Sequence, residues 1–479
     1  MDNTLRDKIL ELEKISQTLE PSEKQRNILL DEVRNHANKF LNNLTETKSF
    51  SSEKVTKDSF SIGPKTKSIQ EILSIYSDEV ASRGITAASG GHLGYIPGGG
   101  IYSASLGDYL ADITNEYAGI SFASPGAVAM EHEILNWMKS LFGFPESSVG
   151  NLTSGGSIAN LIALTAARDK FQIKGDKIVK SVVYTSSQLH HSSLKVLRII
   201  GLEDIIIRNL NLDSSSKIVS EDLSDKIIQD KKAGLNPFLV IGSAGTTDTG
   251  AVDPLEELGE ICQSHHLWYH IDAAYGGFFI LTEQGRSLLT GLNSADSLAV
   301  DPHKGMFLPF GSGAVLVRDK KSVFHSHHHS ANYMQDAVSD SVIDPADVSP
   351  ELTKHFRAVR LWLPLQLHGI KPFVAALKEK LLLTRYFRNK LMEKGFKTGP
   401  EPDLTVSYFW WPRKKNDEDQ FNRKLLQEIH RDGTVFLSST NINGKFVIRI
   451  AVLSFRTKLA TIDKAVEAVD KARKRISQS

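Results

Sequence analysis

The chain has 479 residues, of which 41% are hydrophobic and 24% are charged, an ordinary composition for a globular protein with two or three domains. The 57 Lys and Arg residues balance 56 Asp and Glu residues, so the net charge of +1 gives no electrostatic support for nucleic acid or an anionic membrane as a partner. A single cysteine, Cys262, excludes a disulfide within the chain, and no run of about 18 apolar residues predicts a membrane span, so we expect a cytoplasmic protein.

The N-terminal part of the sequence, residues 1–84, is predicted to be a helical segment. Apolar residues recur at helical spacing within residues 4–44, and Pro21 separates two amphipathic helices there. The stretch that follows, residues 45–65, is polar and aperiodic. We therefore expect a loop between the helical segment and the rest of the chain.

Residues 85–374 alternate between β-rich and amphipathic helical runs, which predicts a large α/β domain. Such alternation favours a mostly parallel sheet with helices on both faces and ligands at the carboxyl ends of its strands. Six strands are expected, at 180–187, 203–210, 237–245, 267–274, 296–301 and 313–319. Residues 375–479 then predict a small α+β domain with a hairpin at the "NING" turn.

Two titratable residues at predicted strand ends suggest a cofactor. Asp272 follows the strand-like "LWYHI", and Lys304 lies in "DPHKG" after the next β-like run. Alone, Asp272 could cap a helix and Lys304 could reach solvent. Together they match the needs of pyridoxal phosphate, which takes a lysine for its internal Schiff base and a carboxylate that keeps its ring nitrogen protonated.

Three other segments could complete such a site. The glycines before the helical run "SIANLIAL" would let Gly156 and Ser157 bind a phosphate, although an ordinary capped helix has the same pattern. His190 and His191 precede a helix and could stack on a flat ring or carry a proton, or be structural. Thr247 ends another strand, where a plain turn is the alternative.

Eight motifs give the chain a family resemblance from about residue 70 to its end. They are "GYIPGGG", "ASPGAVAMEHEILNWM", "TSGGSIANL", "SSQLHHSSLK", "GTTDTGAVDP", "HIDAAYGG", "DPHKG" and "HFRAVRLWLPLQLHG". In this order they resemble the group II pyridoxal-phosphate-dependent amino acid decarboxylases, the family of the aromatic-L-amino-acid, histidine and glutamate decarboxylases. The resemblance implies the PLP-dependent transferase fold of the aspartate aminotransferase type, fold type I, and decarboxylation of an L-amino acid. It also implies a homodimer with active sites at the interface, where residues near Gly119 and Ile120 reach the partner's site.

The resemblance also implies roles for individual residues. Lys304 matches the Schiff-base lysine, Asp272 the partner of the ring nitrogen, and His191, rather than His190, the histidine stacked on the ring. The expected cofactor-binding residues are Gly156, Ser157, His191, Thr247, Asp272, Ala274, Asp301, His303 and Lys304. The expected substrate-binding residues are Tyr95, Pro97 and Gly98, and Tyr95 with Ile96 suggests an apolar pocket wall compatible with an aromatic amino acid.

Two departures from the family pattern bear on the reaction. Gly305 stands where the family usually has an aromatic residue or Met, which predicts a roomier or differently shaped pocket floor. Asn332–Lys354 stands where the family has a mobile catalytic loop; a loop tyrosine protonates the carbanion in aromatic decarboxylases, and phenylalanine replaces it in aldehyde synthases. Between Tyr333 and Phe356 no aromatic residue occurs, so the proton donor is unassigned, with His191 or a loop residue of the partner as candidates.

Several alternatives therefore stay open. The same cofactor could support aldehyde synthesis or Cα–Cβ cleavage, and a non-catalytic dimer could keep the fold. The histidines in "FHSHHHSANYM" raise the question of a metal. We expect no metal site, because neighbouring residues of an extended run point to opposite faces.

Overall fold

A seven-stranded central sheet organises the structure, a computed structural model that describes residues 3–329, 343–414 and 417–478. Helices cover both faces of this sheet, a helical segment precedes it, and a smaller four-stranded sheet follows it.

The N-terminal segment begins with the two helices that the sequence predicts. Helix α1 spans Asn3–Ser16 and α2 spans Glu23–Asn43. Ser22 accepts a hydrogen bond from the Gln25 backbone, and the Gln25 side chain accepts one from the Ser22 backbone. This capping box starts α2 directly after Pro21 and so separates the two helices.

A short two-stranded ribbon joins this segment to the rest of the chain. Strand β1, Phe50–Ser51, pairs antiparallel with β2, Gly84–Ile85. Between them lie α3, Ile69–Tyr76, and a π-helical turn, Ser77–Ala81. The predicted loop at residues 45–65 contains no longer element than β1.

The central sheet has the order β3-β9-β8-β7-β6-β4-β5. Its strands are β3 Val149–Thr153, β4 Ser181–Ser186, β5 Ile206–Leu210, β6 Asn236–Ser243, β7 Trp268–Asp272, β8 Ser297–Val300 and β9 Gly313–Val317. Strands β4 to β8 run parallel, whereas β9 is antiparallel to both β8 and β3. All six predicted strands are confirmed. Strand β3 was not expected, because its sequence is short and includes polar residues.

Ten helices belong to this part of the described chain. They are α4 Tyr102–Thr114, α5 Pro125–Phe142, α6 Gly156–Lys170, α7 His191–Ile199, α8 Ser220–Lys232, α9 Leu255–His265, α10 Glu283–Leu288, α11 Pro302–Gly305, α12 Lys320–His327 and α13 Ala358–His368. Strands β4, β7, β8 and β9 are buried along their whole length. Continuous burial is the expected result of helices on both faces of a parallel sheet.

The C-terminal part forms the small α+β unit that the sequence predicts. Its elements are α14 Lys371–Glu393, β10 Lys397–Thr398, β11 Val406–Trp410, α15 Glu418–Asp432, β12 Ser438–Ile442, β13 Lys445–Ala451 and α16 Leu459–Gln478. The antiparallel sheet has the order β10-β11-β13-β12. The hairpin at "NING" is confirmed: Asn443 and Gly444 have φ of +51° and +77°, as a tight hairpin turn requires. Helix α14 crosses the expected boundary at residue 375, and the two expected domain boundaries stay predictions.

Residues 86–100 form a connecting segment that packs against the small sheet. The Leu93 N–H donates to the Phe436 carbonyl at 2.9 Å, and the Ala451 N–H donates to the Leu93 carbonyl at 2.7 Å. Gly98 lies so close to the His303 carbonyl that a side chain would not fit. The segment therefore lies between the C-terminal unit and the helix that carries Lys304.

Two further findings concern absences in the described ranges. None of the helices there is both long and apolar enough to cross a bilayer. Nor does any group of three or more His, Cys, Asp or Glu side chains there have the arrangement of a metal site. His325 and His327 lie on helix α12 rather than on a strand, and the His328 ring stacks on Phe324.

Candidate active site

A cavity of about 440 Å³ lies beyond the carboxyl ends of β6, β7 and β8. Eight of the nine expected cofactor residues line it: Gly156, Ser157, Thr247, Asp272, Ala274, Asp301, His303 and Lys304. The parallel strands bring these distant positions together, since their carboxyl ends meet at one edge of the sheet.

Lys304 lies on the one-turn helix α11, directly after β8. Its Nζ is 3.1 Å from Asp301 Oδ2, and its side chain lines the cavity instead of extending into solvent. His303 packs beside it, with Nδ1 2.6 Å from the Ser312 carbonyl, and burial lowers the pKa of His303. The structure thus gives no support to the alternative that the Lys304 side chain extends into solvent.

Asp272 ends β7 and is 8% exposed. Its Oδ1 accepts from the Ala274 N–H at 3.1 Å, and its Oδ2 accepts from Asn160 Nδ2 at 3.3 Å. Asn160 Oδ1 is in turn 3.0 Å from His270 Nε2. Burial lowers the pKa of His270 to about 4, so this histidine is neutral near pH 7 and can donate to Asn160. Both carboxylate oxygens are therefore held in place.

The turn from β3 into α6 forms an anion-binding corner. Thr153 Oγ1 accepts from the Gly155 N–H at 3.3 Å, and α6 begins at Gly156. A Cβ at Gly156 would lie 3.2 Å from Ala274 Cβ and 3.3 Å from Asp301 Oδ2, so a side chain there would fill the corner. The first N–H groups of a helix have no partners within the helix and favour an anion.

These features fit pyridoxal phosphate. The cavity offers a helix start for the phosphate, the small Ala274 for a flat ring, the Asp272 carboxylate for a ring nitrogen and the Lys304 amine for an aldehyde. In addition, Asp301 Oδ1 is buried and has no hydrogen-bond partner among the described residues. A buried acceptor of this kind is costly unless a further group in the cavity satisfies it.

His191 is not part of the cavity. It is the first residue of α7 and is exposed, whereas His190, the N-cap residue, lines the cavity. His190 Nδ1 accepts from the Ser192 N–H at 3.3 Å, and burial lowers the pKa of His190. The structure thus places His190, and not His191, at the cavity, and the role of His191 against a cofactor ring stays a prediction. Consecutive residues point in different directions at a helix start, and the sequence alone does not indicate which one faces inward.

The expected substrate-binding residues are only partly near the cavity. Gly98 contacts the backbone of His303, but neither Tyr95 nor Pro97 lines the cavity within the described chain. Tyr95 is 59% exposed, and Pro97 is buried. Phe310, at the rim, is a large apolar residue that the sequence analysis did not single out.

Gly305 does not enlarge the cavity floor in the structure, and the alternative of a differently shaped floor stays a prediction. Gly305 faces the protein core, where a Cβ would lie 2.7 Å from Phe278 Cβ. Phe278 is fully buried and stacks on Trp137. The missing side chain at position 305 thus makes room for Phe278 and does not enlarge the cavity.

We expect Gly305→Ala to lower the free energy of unfolding by about 1–3 kcal/mol, as overpacked cores do. Urea unfolding of the cofactor-free protein measures this effect. In a Phe278→Ala background the same change should cost much less, because the clashing ring has been removed. An equal cost in both backgrounds would contradict the packing explanation.

Other cavity residues were missed, although their positions carry a signal. They are Asn160, Gln188, Ser192, Ser243, Tyr275, Phe310 and Gly311. Asn160 lies four residues after Gly156, on the same face of α6, and Ser243 ends a strand beside Asp272. Spacing relative to the recognised motifs could have found both of them.

Comparison with known proteins gives a consistent result. The model of the pyridoxal-dependent decarboxylase conserved domain matches residues 54–410. The chain is 34% identical to an aromatic-L-amino-acid decarboxylase of Bacillus atrophaeus over 373 residues, 76% of this chain and 77% of that one. It is 30% identical to a phenylacetaldehyde synthase of Arabidopsis thaliana over 370 residues, 73% of this chain and 76% of that one. The crystal structure of Oryza sativa TDC with PLP and tryptamine superposes with a TM-score of 0.90 at 21% identity, over 95% of this chain and 99% of that one.

Proposed function

Because this chain belongs to the pyridoxal-dependent decarboxylase family, we propose that it converts an L-amino acid, specifically an aromatic one, into the amine and CO2. The family has pyridoxal phosphate as its cofactor and fold type I as its architecture, and its members are carboxy-lyases. The observation that carries the proposal is the presence of Lys304, Asp272 and the anion-binding corner in one cavity.

When bound, pyridoxal phosphate supplies an electron sink for the bond that breaks at the substrate Cα. Lys304 is the amine that would hold its aldehyde, and the start of α6 at Gly156 and Ser157 would hold its phosphate. Asp272 would accept a hydrogen bond from the ring nitrogen. His190 would lie against the ring, in place of His191.

The residues around Asp272 hold its carboxylate in a fixed orientation. Asn160 and the Ala274 N–H each donate to one oxygen, which fixes the plane of the carboxylate. A carboxylate held within hydrogen-bond distance favours a proton on a ring nitrogen. Asp301 acts on the lysine instead of on the ring. Its Oδ2 lies within hydrogen-bond distance of Lys304 Nζ and can hold a proton at that amine.

Product analysis tests the proposal. The purified protein with pyridoxal phosphate is incubated with each common amino acid, and mass spectrometry identifies the products. We expect an amine without aldehyde, and a preference of at least about 100-fold in kcat/KM for an aromatic substrate over glutamate. Aldehyde together with peroxide would contradict the proposal.

Aldehyde synthesis is the second candidate, since a phenylacetaldehyde synthase is 30% identical to the chain. The segment that would separate the two reactions is Asn332–Lys354, and its first part, up to residue 342, lies outside the described residues. The proton donor at Cα is therefore not assigned to any residue here.

We expect Asp272→Asn to lower kcat by about 100-fold or more, because an amide cannot hold the ring nitrogen in its protonated form. Cofactor attachment at Lys304 should survive, as shown by a retained visible absorbance. Asn160→Ala is the graded control: it frees Asp272 Oδ2 but keeps the charge, so it should cost less. A kcat within threefold of wild type in Asp272→Asn would contradict the assignment.

The proposal includes a homodimer. Helix α4 exposes a stripe of large apolar side chains at helical spacing: Tyr102, Leu106, Tyr109, Leu110 and Ile113. Gly119 and Ile120 themselves are buried, Gly119 against the Leu352 carbonyl, but Phe122 two residues later is exposed. A second copy is the occupant that we propose for this face. Sedimentation equilibrium tests it, with a monomer as the contradicting result.

A cytoplasmic location is part of the same proposal. The only cysteine, Cys262, is buried and forms no disulfide, as suits a protein of a reducing compartment.

A further inference from the structure

Arg449 is a buried arginine whose placement the proposed reaction does not yet explain. It lies on β13, and its residue is only 3% exposed. Within the described chain it makes no ion pair, and burial lowers its pKa. The Asp248 carboxylate acts on Arg449 from beyond ion-pair distance, so the hydrogen bonds of Arg449 supply much of the compensation for its lost hydration.

These hydrogen bonds join three separate parts of the chain. Nε donates to the Thr247 carbonyl at 2.8 Å, and Nη2 donates to the Tyr95 carbonyl at 3.1 Å. Nη1 donates to Ser438 Oγ at 2.8 Å, which anchors the guanidinium within the small sheet. Thr247 lines the cavity, and Tyr95 belongs to the connecting segment 86–100. The rigid, planar guanidinium thus holds two carbonyls at a set separation.

The Tyr95 carbonyl belongs to a strained stretch of backbone. Tyr95 has a φ of +53°, a left-handed conformation that bulky residues rarely adopt. Such a residue keeps this conformation only where its surroundings restrain it. Arg449 supplies a restraint at the carbonyl, and close packing of Gly94 against the Phe436 ring supplies another.

The same segment then passes the helix that carries Lys304. The Phe455 N–H donates to the Gly98 carbonyl at 3.3 Å, and Gly98 lies against the His303 carbonyl. Arg456 donates to the Gly99 and Gly100 carbonyls. The position of the segment relative to the cavity is therefore set by the C-terminal unit, through Arg449 at one end and Arg456 at the other.

We propose that Arg449 is a positioning residue, which sets the substrate side of the cavity by holding the Tyr95 segment at a fixed distance from the Thr247 turn. The kinetic part of its test rests on the proposed decarboxylation. Arg449 contacts neither cofactor nor substrate in this role. A positive charge alone is not sufficient to hold both carbonyls in place.

The informative variant is Arg449→Lys. It keeps the positive charge but cannot reach two carbonyls and a hydroxyl at once. Arg388→Lys is the matched control: Arg388 is 5% exposed in the same C-terminal unit and donates to Ser407 Oγ at 2.7 Å and the Gly399 carbonyl at 2.9 Å. Arg388 makes two hydrogen bonds and an ion pair with Glu401 at 3.4 Å, so its replacement also removes buried contacts of the C-terminal unit, but only Arg449 bonds a residue that lines the cavity.

Hydrogen exchange of the cofactor-free protein is the first readout. In Arg449→Lys we expect amide exchange to accelerate at least about tenfold in peptides covering residues 92–98 and also residues 245–250, where Thr246 and Gly250 donate backbone hydrogen bonds. Arg388→Lys should leave both peptides within about twofold of wild type. Faster exchange in one segment only, or equal acceleration in the control, would overturn the proposal.

Steady-state kinetics is the second readout. Arg449→Lys should raise KM for the amino acid at least about tenfold and leave kcat within about threefold. Arg388→Lys should change neither KM nor kcat, although it should lose a similar amount of thermal stability. An unchanged KM in Arg449→Lys would show a purely structural role and overturn the proposal. Absence of turnover in the wild type would instead refute the proposed reaction, and the exchange experiment would still decide the role of Arg449.

Discussion

Lys304→Ala is expected to abolish covalent attachment of pyridoxal phosphate and to lower decarboxylation by about 1000-fold or more. The change removes both the amine that would hold the cofactor and a group that can carry a proton beside Asp301. Proton transfer by a positioned side chain alone contributes about 10²–10⁴-fold to enzymatic rates, and loss of attachment adds to this effect.

The measurement is chemical labelling. Borohydride treatment of the loaded wild-type protein should leave a phosphopyridoxyl mass on the peptide that contains Lys304, and no such mass in Lys304→Ala. Lys304→Arg should fail equally, because a guanidinium keeps the charge but does not act as an amine. Cofactor absorbance that persisted through denaturation of Lys304→Ala would show that another residue holds the cofactor.

Lys380 is the matched control for this experiment. Burial lowers its pKa to about 8, so a fraction of its amine is unprotonated at neutral pH. It bonds Glu379 and the Thr457 carbonyl and does not line the cavity. We expect no label at Lys380, and Lys380→Met should leave attachment at Lys304 intact.

Lys354→Met is expected to lower the free energy of unfolding by about 3–5 kcal/mol, the usual cost of removing one partner of a buried ion pair. Lys354 and Glu131 have side-chain exposures of 0% and 1%, and Nζ is 2.8 Å from Oε1. Lys354 also donates to Asn151 Oδ1 at 3.1 Å and the Leu152 carbonyl at 3.0 Å. Without the lysine, the Glu131 carboxylate would remain buried and uncompensated.

The effect should extend to the cofactor cavity. The Leu152 N–H donates to Glu131 Oε1 at 3.0 Å, and Leu152 is followed by Thr153 and the anion-binding corner. We therefore expect weaker cofactor binding in Lys354→Met, measured by equilibrium titration, together with a lower urea midpoint.

A double variant makes this prediction specific. Glu131→Leu combined with Lys354→Met should recover part of the stability, because no charge stays buried, although the Leu152 N–H and Asn151 Oδ1 each lose a hydrogen-bond partner. The surface pair Lys390 and Glu393 is the control, and Lys390→Met should leave the urea midpoint unchanged. A Lys354→Met midpoint equal to wild type would contradict the prediction.

The sequence by itself determined the sheet and the main chemistry of the site. Six of its seven strands are visible as apolar runs, because strands of a parallel sheet are buried on both faces. The site residues at strand ends follow from the same pattern. Once Asp272 and Lys304 are placed at the ends of neighbouring parallel strands, their meeting in one cavity is a consequence of topology.

Only the tertiary structure decided which neighbouring side chain faces the cavity and which faces the core. The choice of His190 over His191 depends on the direction of the chain at the start of α7. Gly305 is explained by Phe278, which the local sequence around Lys304 does not contain.

The contacts of Arg449 are a further feature that the sequence does not predict, and they join residues far apart in the chain. It bonds the Tyr95 carbonyl, 354 positions away in the chain, and the Thr247 carbonyl, 202 positions away. Periodicity and motif spacing carry information about neighbours along the chain. Contacts of this kind arise instead from the packing of the C-terminal unit against the large sheet, where the pairing of a side chain with a distant backbone carbonyl leaves no local pattern in the sequence.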